Sequence, residues 1–239
     1  MRAHMRAIPF ENLDVLLGRG IRVDLDSVFA KLVTARRGGY CFEHSTLLAA
    51  ALTHLGFAPV PHSARVVLFN PRHASPRTHM FLSVTIAGTR YVLDPGFGGH
   101  GPLVPVPLVE DYAVRDGADV HRFVRREGEW VLETPIGGAM TPLWMSTLEA
   151  ESPIDFVMAN HFTCTWSESP FVNRLMLRAL TPEGRVSVMN RDVTVLRGAA
   201  SERHELADRT ALRQLLVAHF GFDLPEAERL RVPAVTEWR

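Results

Sequence analysis

Residues 36–43 read Arg-Arg-Gly-Gly-Tyr-Cys-Phe-Glu and lead into a helical pattern over 41–55, which Gly56 is placed to cap. The two glycines permit a sharp backbone path, so Cys41 is expected on the first helical turn. Unpaired backbone N–H groups and the helix dipole favour a thiolate there, and such surroundings commonly lower the thiol pKa of about 8.5 by about one unit or more. The stretch predicts an activated cysteine, although taken alone it fits a buried structural cysteine equally well.

Helical and extended patterns are segregated along the chain on either side of this helix. A helix is predicted over 25–35, capped by Asp24 or Asp26, and another after Asp208, closed by Gly221. Between them, β-branched and aromatic stretches with turn residues predict strands at 65–69, 80–86, 90–93, 122–125, 130–133, 175–180 and 185–189. Helices first, strands next and a helix last indicate an α+β fold and not a parallel βαβ sheet.

The composition excludes several classes of protein. In 239 residues, 26 basic side chains balance 26 acidic ones, and Lys31 is the only lysine. Zero net charge gives no long-range field to attract nucleic acid or an anionic membrane surface. There is no apolar run long enough to span a bilayer and no apolar signal-peptide core. Two cysteines are too few for a disulfide framework, so we expect a cytoplasmic protein.

A cysteine nucleophile usually works with an imidazole whose tautomer is fixed by an acceptor. His79 opens one predicted strand and Asp94 closes the next, with Ala87-Gly88 as the turn between them. A two-residue loop would pair Ile86 with Thr89 and place Asp94 opposite Phe81, on the same sheet face as His79 and about 7 Å away along the strand. A three-residue loop would place the two side chains on opposite faces, so the prediction is conditional.

The loop after Asp94 reads Pro-Gly-Phe-Gly-Gly over 95–99. A glycine-rich loop after an acidic strand end can present its backbone to a ligand, although a plain turn is the commoner explanation for this motif alone. We find no zinc-ligand spacing, no phosphate loop, no dinucleotide fingerprint and no serine nucleophile motif. Cys164 lies among aromatic and β-branched residues and is expected to be structural. We therefore predict no metal site.

Three ordered motifs resemble the arylamine N-acetyltransferase family. They are Arg-Gly-Gly-Tyr-Cys-Phe-Glu at 37–43, Arg-Thr-His-Met at 77–80 and Leu-Asp-Pro-Gly-Phe-Gly at 93–98. The segments 8–13, 159–162 and 169–171 look like further landmarks of that family. The resemblance extends over nearly the whole chain, from Ile8 to the last predicted helix.

The resemblance implies an architecture of three parts with a core like that of the cysteine proteinases. Residues 1–57 would form a helical bundle that carries the cysteine. Residues 58–167 would form an antiparallel β-barrel-like domain that carries the histidine and the aspartate. Residues 168–239 would form a C-terminal α/β lid.

The resemblance also implies the reaction and the site. An acetyl group would pass from acetyl-coenzyme A, through an acetyl-cysteine, to an arylamine, arylhydrazine or N-arylhydroxylamine. No cofactor would be tightly bound, since acetyl-coenzyme A acts as a cosubstrate. Carried over position by position, the resemblance makes Cys41 the nucleophile, His79 the base and Asp94 its orienter. Phe10 and Phe97 would line the acceptor pocket, and Gly96, Gly98 and Phe171 would contact the acyl donor. Glu11 and Arg37 would form a structural ion pair.

The chain departs from the family pattern near the expected site. His44-Ser45 follows Glu43 where the family often has Gln-Asn, and Pro95 replaces a smaller residue. Both changes could alter the choice of acceptor. Fewer residues than usual precede the Ile-Pro-Phe-Glu-Asn motif, which begins at Ile8.

Three other functions stay open at this point. An amide synthase of the same fold would take its acyl chain from a carrier protein and close a macrolactam. A hydrolase or protease with the same Cys-His-Asp order would pass the acyl group to water. A non-catalytic binding module would keep the fold but leave Cys41 unreactive.

Overall fold

The computed structural model describes residues 1–198 and 200–238. Its α-helices are α1 Arg2–Ala7, α2 Leu13–Leu16, α3 Leu25–Phe29, α4 Cys41–His54, α5 Pro153–Thr165, α6 Pro170–Asn173 and α7 Arg209–Leu215. Single π-helical turns at Ala30–Thr34 and Leu216–Phe220 extend α3 and α7, and short 3₁₀ turns occur at Arg72–Ala74, Pro225–Arg229 and Thr236–Trp238. None of the helices in the described residues is long and apolar enough to cross a bilayer.

The strands are β1 Phe10–Glu11, β2 Val60–Val66, β3 Arg77–Ile86, β4 Thr89–Leu93, β5 Val106–Pro107, β6 Ala113–Asp116, β7 Asp119–Arg126, β8 Glu129–Ile136, β9 Ala139–Ser146, β10 Met176–Thr181, β11 Gly184–Met189, β12 Asp192–Arg197 and β13 Ala200–Glu205. They form two antiparallel sheets, one of eight strands in the order β5-β4-β3-β2-β9-β8-β7-β6 and one of five in the order β1-β10-β11-β12-β13. The α+β class is therefore confirmed.

The helix ends follow from the residues that stand there. The Asp24 side chain accepts the Ser27 N–H at 3.0 Å and caps α3, and Asp208 accepts the Ala211 N–H at 2.8 Å and caps α7. Gly56 and Gly221 have φ of +86° and +79°, the left-handed conformation in which helices commonly end. These four predicted boundaries are confirmed.

The chain divides into two compact units. The first comprises residues 1–2 and 41–159 and contains α4 and the eight-stranded sheet. Leu48 of α4 packs with Leu82, Val84 and Leu93 of β3 and β4. A second core between the strands contains Phe81, Phe123, Leu132, Leu143 and Trp144, each fully buried. These contacts fix α4 against the β3–β4 hairpin.

The second unit comprises residues 3–40 and those after 159. Its five-stranded sheet includes β1 from near the start of the chain, where Phe10 pairs with Arg178 and Glu11 with Leu177. The faces of β10, β11 and β12 pack with Leu212, Leu216 and the C-terminal segment up to Trp238. The two units follow other boundaries than the three predicted regions, 1–57, 58–167 and 168–239, and that division stays a prediction.

The strand predicted at 65–69 is wrong in its bounds, because β2 begins at Val60 and includes Pro61. At Pro61 the strand pairs only with β3, opposite Leu82, since β9 pairs with β2 only at Arg65 and Val66. A proline lacks a backbone N–H and is tolerated where a strand has a neighbour on one side only. The proline therefore does not end the strand.

Candidate active site

Cys41 is the first residue of α4, as predicted, and its side chain is buried. Its Sγ lies 3.9 Å from the carbonyl oxygen of Thr78, the residue before His79 on β3. The helix start directs free backbone N–H groups and a partial positive charge toward this end of α4. An anionic sulfur is favoured at such a position.

The β3–β4 hairpin has the two-residue loop on which the predicted placement of His79 and Asp94 depends. Ile86 pairs with Thr89, and Ala87 and Gly88 both have positive φ, as in a type I′ turn. The last paired residues, Leu82 and Leu93, leave Asp94 in line with Phe81. His79 Nε2 donates to Asp94 Oδ2 over 2.9 Å, and both side chains are almost completely buried.

Trp144 of β9 is a partner of this pair that the sequence analysis missed. Its Nε1 donates to the same oxygen, Asp94 Oδ2, over 2.9 Å. Its ring stacks on Phe81 with centroids 4.4 Å apart, and Phe81 in turn stacks on the His79 ring at 6.3 Å. Trp144 is fully buried, so it fixes the carboxylate both by a hydrogen bond and by packing. In the sequence it lies in a strand that periodicity did not reveal.

The protonated form of His79 is strongly favoured. Burial alone would lower the pKa of the imidazole, but the Asp94 carboxylate and the Cys41 sulfur, which hydrogen-bonds to the ring, outweigh it and raise the pKa of His79 to about 10. The imidazole therefore lies between a carboxylate and the sulfur, bonded to both. This is the arrangement of an imidazolium–thiolate pair.

The glycine-rich loop lies against the cysteine. A Cβ added to Gly96 would stand 2.4 Å from the Cα of Cys41, so only glycine allows this close approach. The Phe97 ring is nearly perpendicular to the His79 ring, with centroids 5.2 Å apart. Gly98 has a φ of +78° and begins the next turn. Gly96 and Phe97 thus lie against Cys41 and His79, and Gly98 follows them in the same loop.

Phe10 and Phe171 lie together in the second unit, with ring centroids 6.4 Å apart. Phe171 also packs edge-on against Tyr40 at 5.3 Å. The Asn12 side-chain N–H groups donate to the backbone oxygens of Phe171 and Arg174 at 2.8 and 2.7 Å. These bonds fix the segment that carries Phe171 to the segment that carries Phe10.

The predicted ion pair of Glu11 and Arg37 is present in the second unit. Arg37 Nε and a terminal nitrogen lie 3.1 and 2.7 Å from Glu11 Oε1, and the same terminal nitrogen lies 3.3 Å from Asp14 Oδ1. Asp14 also pairs with Lys31 at 3.0 Å. A Cβ on Gly38 would stand 2.3 Å from the Pro9 carbonyl oxygen, so the glycine pair lies directly on this segment.

Cys164 lies half-buried on α5, and its Sγ lies 3.6 Å from the carbonyl oxygen of His161. Among the residues that the structure describes, no three His, Cys, Asp or Glu side chains are grouped so that they could hold a metal ion.

Comparisons with known proteins agree with this geometry. A family model described as N-acetyltransferase matches residues 1–229. The chain is 35% identical to an arylamine N-acetyltransferase of Escherichia coli strain K12 over 94% of this chain and 81% of that protein. It is also 34% identical to an arylamine N-acetyltransferase / N-hydroxyarylamine O-acetyltransferase of Salmonella typhimurium, over 95% and 81% of the two chains.

Solved structures show the same fold. The arylamine N-acetyltransferase of Salmonella typhimurium superposes with a TM-score of 0.89 at 32% identity, over 95% of this chain and 86% of that one. The Mycobacterium marinum arylamine N-acetyltransferase in complex with CoA gives a TM-score of 0.88 at 30% identity, over 95% and 85% of the chains. The chain therefore belongs to the arylamine N-acetyltransferase family of acyltransferase enzymes.

Proposed function

We propose that this protein transfers an acetyl group from acetyl-coenzyme A to the nitrogen of an arylamine or arylhydrazine, with Cys41 as nucleophile, His79 as base and Asp94 as orienter. The observation that carries the proposal is the buried hydrogen bond from His79 to Asp94 beside a cysteine at a helix start. Acetyl-coenzyme A is a cosubstrate that binds and leaves, as the CoA complex of the Mycobacterium marinum relative suggests.

In the first step, the Cys41 thiolate attacks the carbonyl carbon of the acetyl thioester. Backbone N–H groups at the start of α4 are placed to stabilise the developing oxyanion. The coenzyme A thiolate leaves and takes up the proton of the His79 imidazolium, so the imidazole becomes neutral and the acetyl group remains on Cys41. The free-energy change is small because donor and product are both thioesters.

In the second step, the neutral amine attacks the acetyl-cysteine. Acetylation removes the negative charge on sulfur, one of the groups that raise the pKa of His79, so the imidazole releases its proton more readily than in the free enzyme. His79 can then accept the proton of the attacking nitrogen. The amide forms as the Cys41–carbonyl bond breaks, and the thiolate returns.

The binding roles are also proposals. Phe10 and Phe97 would supply apolar faces for a flat aromatic acceptor. Gly96, Gly98 and Phe171 would contact the acyl donor. Gly96 packs directly on Cys41, so its loop lies near the reacting sulfur. The thioester of the acyl donor must reach that same sulfur, which supports a donor contact for this loop.

The test is an intact-mass measurement after incubation with acetyl-coenzyme A alone. We expect one added acetyl group on the wild-type chain and none on Cys41→Ser. Cys164→Ser is the matched control, since it removes the other thiol and should leave the adduct unchanged. No adduct on the wild-type chain, or the same adduct on Cys41→Ser, would contradict the proposal.

A second measurement separates acetyl transfer from its rivals. The acetyl-enzyme should persist in buffer and discharge when an aromatic amine is added. Rapid discharge without an amine would instead identify a hydrolase. Acylation only by a carrier-bound chain would identify an amide synthase.

A further inference from the structure

Ser45 lies one helical turn after Cys41 on α4 and takes no part in the transfer steps. It is fully buried, and its Oγ donates a hydrogen bond of 3.0 Å to the backbone carbonyl oxygen of Met80 on β3. Residues four positions apart lie on the same face of a helix, so Ser45 and Cys41 both face β3. Met80 directly follows His79, so this bond joins the helix of the nucleophile to the strand of the base.

The contacts of α4 with β3 lie on both sides of His79. Cys41 Sγ lies 3.9 Å from the carbonyl oxygen of Thr78, and Ser45 bonds to that of Met80. Four residues of a helix rise about 6 Å and two residues of a strand about 6.6 Å, so the two spacings match. The base therefore lies between the two points at which the cysteine helix contacts its strand.

Pro95 explains why the Met80 carbonyl oxygen accepts from a helix and not from the neighbouring strand. In an antiparallel hairpin every second pair exchanges two backbone hydrogen bonds, counted from the pair that closes the two-residue turn. By this count Leu82 and Leu93 form such a pair, and the next would join Met80 with Pro95. Proline has no backbone N–H, so it cannot donate to Met80. Ser45 supplies the donor instead.

We propose that Ser45 is a positioning residue of the acetyl transfer, because its hydrogen bond to β3 holds the Cys41 sulfur at the His79 ring. The apolar contact of Leu48 with Leu82 has no preferred direction, whereas a hydrogen bond specifies one register of α4 on β3. The inference rests on the proposed function and adds to it a residue that acts through the position of the sulfur.

Ser75 provides a matched control in the same unit. It is buried, and its hydroxyl donates to the carbonyl oxygen of Pro71 at 3.1 Å, in the loop before β3. Ser45→Ala and Ser75→Ala thus each remove one buried serine hydroxyl that bonds to a backbone carbonyl oxygen. They differ in whether the lost bond lies on the cysteine helix.

The experiment compares Ser45→Ala and Ser75→Ala with a reference chain, all three carrying Cys164→Ser so that Cys41 is the one thiol. Quenched-flow intact mass gives the limiting rate of acetylation and the acetyl-coenzyme A concentration that half-saturates it. Alkylation with iodoacetamide is measured at about pH 7 and about pH 10, and the ratio of the two rates reports how fully the sulfur is ionised at neutral pH. Denaturant unfolding gives the stability of each variant.

We expect Ser45→Ala to lower the limiting acetylation rate by about tenfold, the value of one hydrogen bond, and to leave the half-saturating concentration within about twofold. The ratio of alkylation rates should fall by about fivefold, because the sulfur is no longer held at the imidazolium. Ser75→Ala should change neither the rate nor the ratio. An unchanged rate and ratio in Ser45→Ala, a change confined to the half-saturating concentration, or the same changes in Ser75→Ala would overturn the inference.

A second variant separates positioning from simple satisfaction of the carbonyl oxygen, and it keeps the test decisive if Ser45→Ala folds poorly. Pro95→Ala adds a backbone N–H opposite Met80, so Ser45→Ala combined with Pro95→Ala should regain stability. Its limiting rate should still lie about tenfold below that of Pro95→Ala alone, because α4 stays untied from β3. Equal rates would show that Ser45 serves the carbonyl oxygen only. If the reference chain forms no acetyl-enzyme, the proposed function itself fails, whereas the alkylation ratio still tests Ser45.

Discussion

Each of the two units buries a group of charges, and the two groups differ in the kind of cation they use. In the first unit the Asp94 carboxylate accepts from an imidazole and from the neutral indole N–H of Trp144. In the second unit Glu11 and Asp14 surround the guanidinium of Arg37. An imidazole can gain or lose a proton near neutral pH, whereas a guanidinium does not. The first group can carry chemistry, and the second is suited to holding a segment in place.

The largest effect should come from Asp94→Asn. The amide can donate to the imidazole as well as accept from it, so the correct His79 tautomer is no longer imposed. We expect acetyl-enzyme formation, measured by quenched-flow intact mass, to slow by about 10³–10⁴-fold. Thermal unfolding should show that the chain still folds. A rate close to wild type would mean that Asp94 does not orient the base.

Loss of the buried ion pair in the second unit should lower the stability of the fold. Arg37→Met leaves the buried Glu11 without its cation, and we expect the free energy of unfolding in denaturant to fall by about 3–5 kcal/mol. Replacing both residues, Glu11→Gln with Arg37→Met, should recover part of that loss. Arg22→Met is the control, because the Arg22 side chain is 79% exposed and its pair with Asp24 should contribute little. Equal losses for Arg22→Met and Arg37→Met would remove the contrast between a buried and an exposed pair.

The first unit should show a pH dependence that the second lacks. The pKa of His79 is raised from 6.5 to about 10 in the folded chain, so its protonation stabilises the fold fully below about pH 6.5 and stops doing so by about pH 10. We expect the stability of the wild type relative to His79→Gln to decrease as the pH rises through this window, by up to about 1.4 kcal/mol per pH unit. Thermal or denaturant unfolding across the window measures it. A difference that is constant with pH would show that His79 is not protonated in the free enzyme.

The smallest of these effects should come from Trp144→Phe. Phenylalanine keeps an aromatic ring against Phe81 but removes the N–H that holds Asp94. We expect acetyl-enzyme formation to slow by about tenfold, the value of one hydrogen bond to a charged group, and the pH dependence of the rate to shift. Trp130→Phe is the control on the neighbouring strand and should change neither. A loss of stability alone, with an unchanged pH profile, would make Trp144 a packing residue only.

Local signals predicted the parts of the molecule that are close in sequence. The α4 boundaries followed from the glycine pair and Gly56, and the pairing of Ile86 with Thr89 followed from Ala87-Gly88, which together placed Cys41, His79 and Asp94 on their elements. The β9 strand and helix α5 were missed, since neither stretch has a clear helical or alternating pattern. Strand β1 was missed because two residues carry no periodicity, and its partner β10 lies more than 160 residues away.

The contacts of the site were harder to predict for the same reason. Trp144 lies 50 residues from Asp94 and became visible only when β9 was placed beside β2. The packing of Gly96 on Cys41 depends on how the loop approaches α4, which no spacing in the sequence specifies. Short-range turns and helix caps can thus be predicted from the sequence, whereas close approaches across the sheet depend on the assembled fold.

The central claim is that Cys41 reacts as a thiolate held by His79. The most direct test is the rate at which iodoacetamide alkylates Cys41, measured as a function of pH in a Cys164→Ser chain that has one thiol. We expect a fast rate that changes little with pH near neutrality, because the imidazolium bonded to the sulfur favours the thiolate. A rate that instead rises about tenfold per pH unit, as for an ordinary thiol of pKa about 8.5, would contradict it.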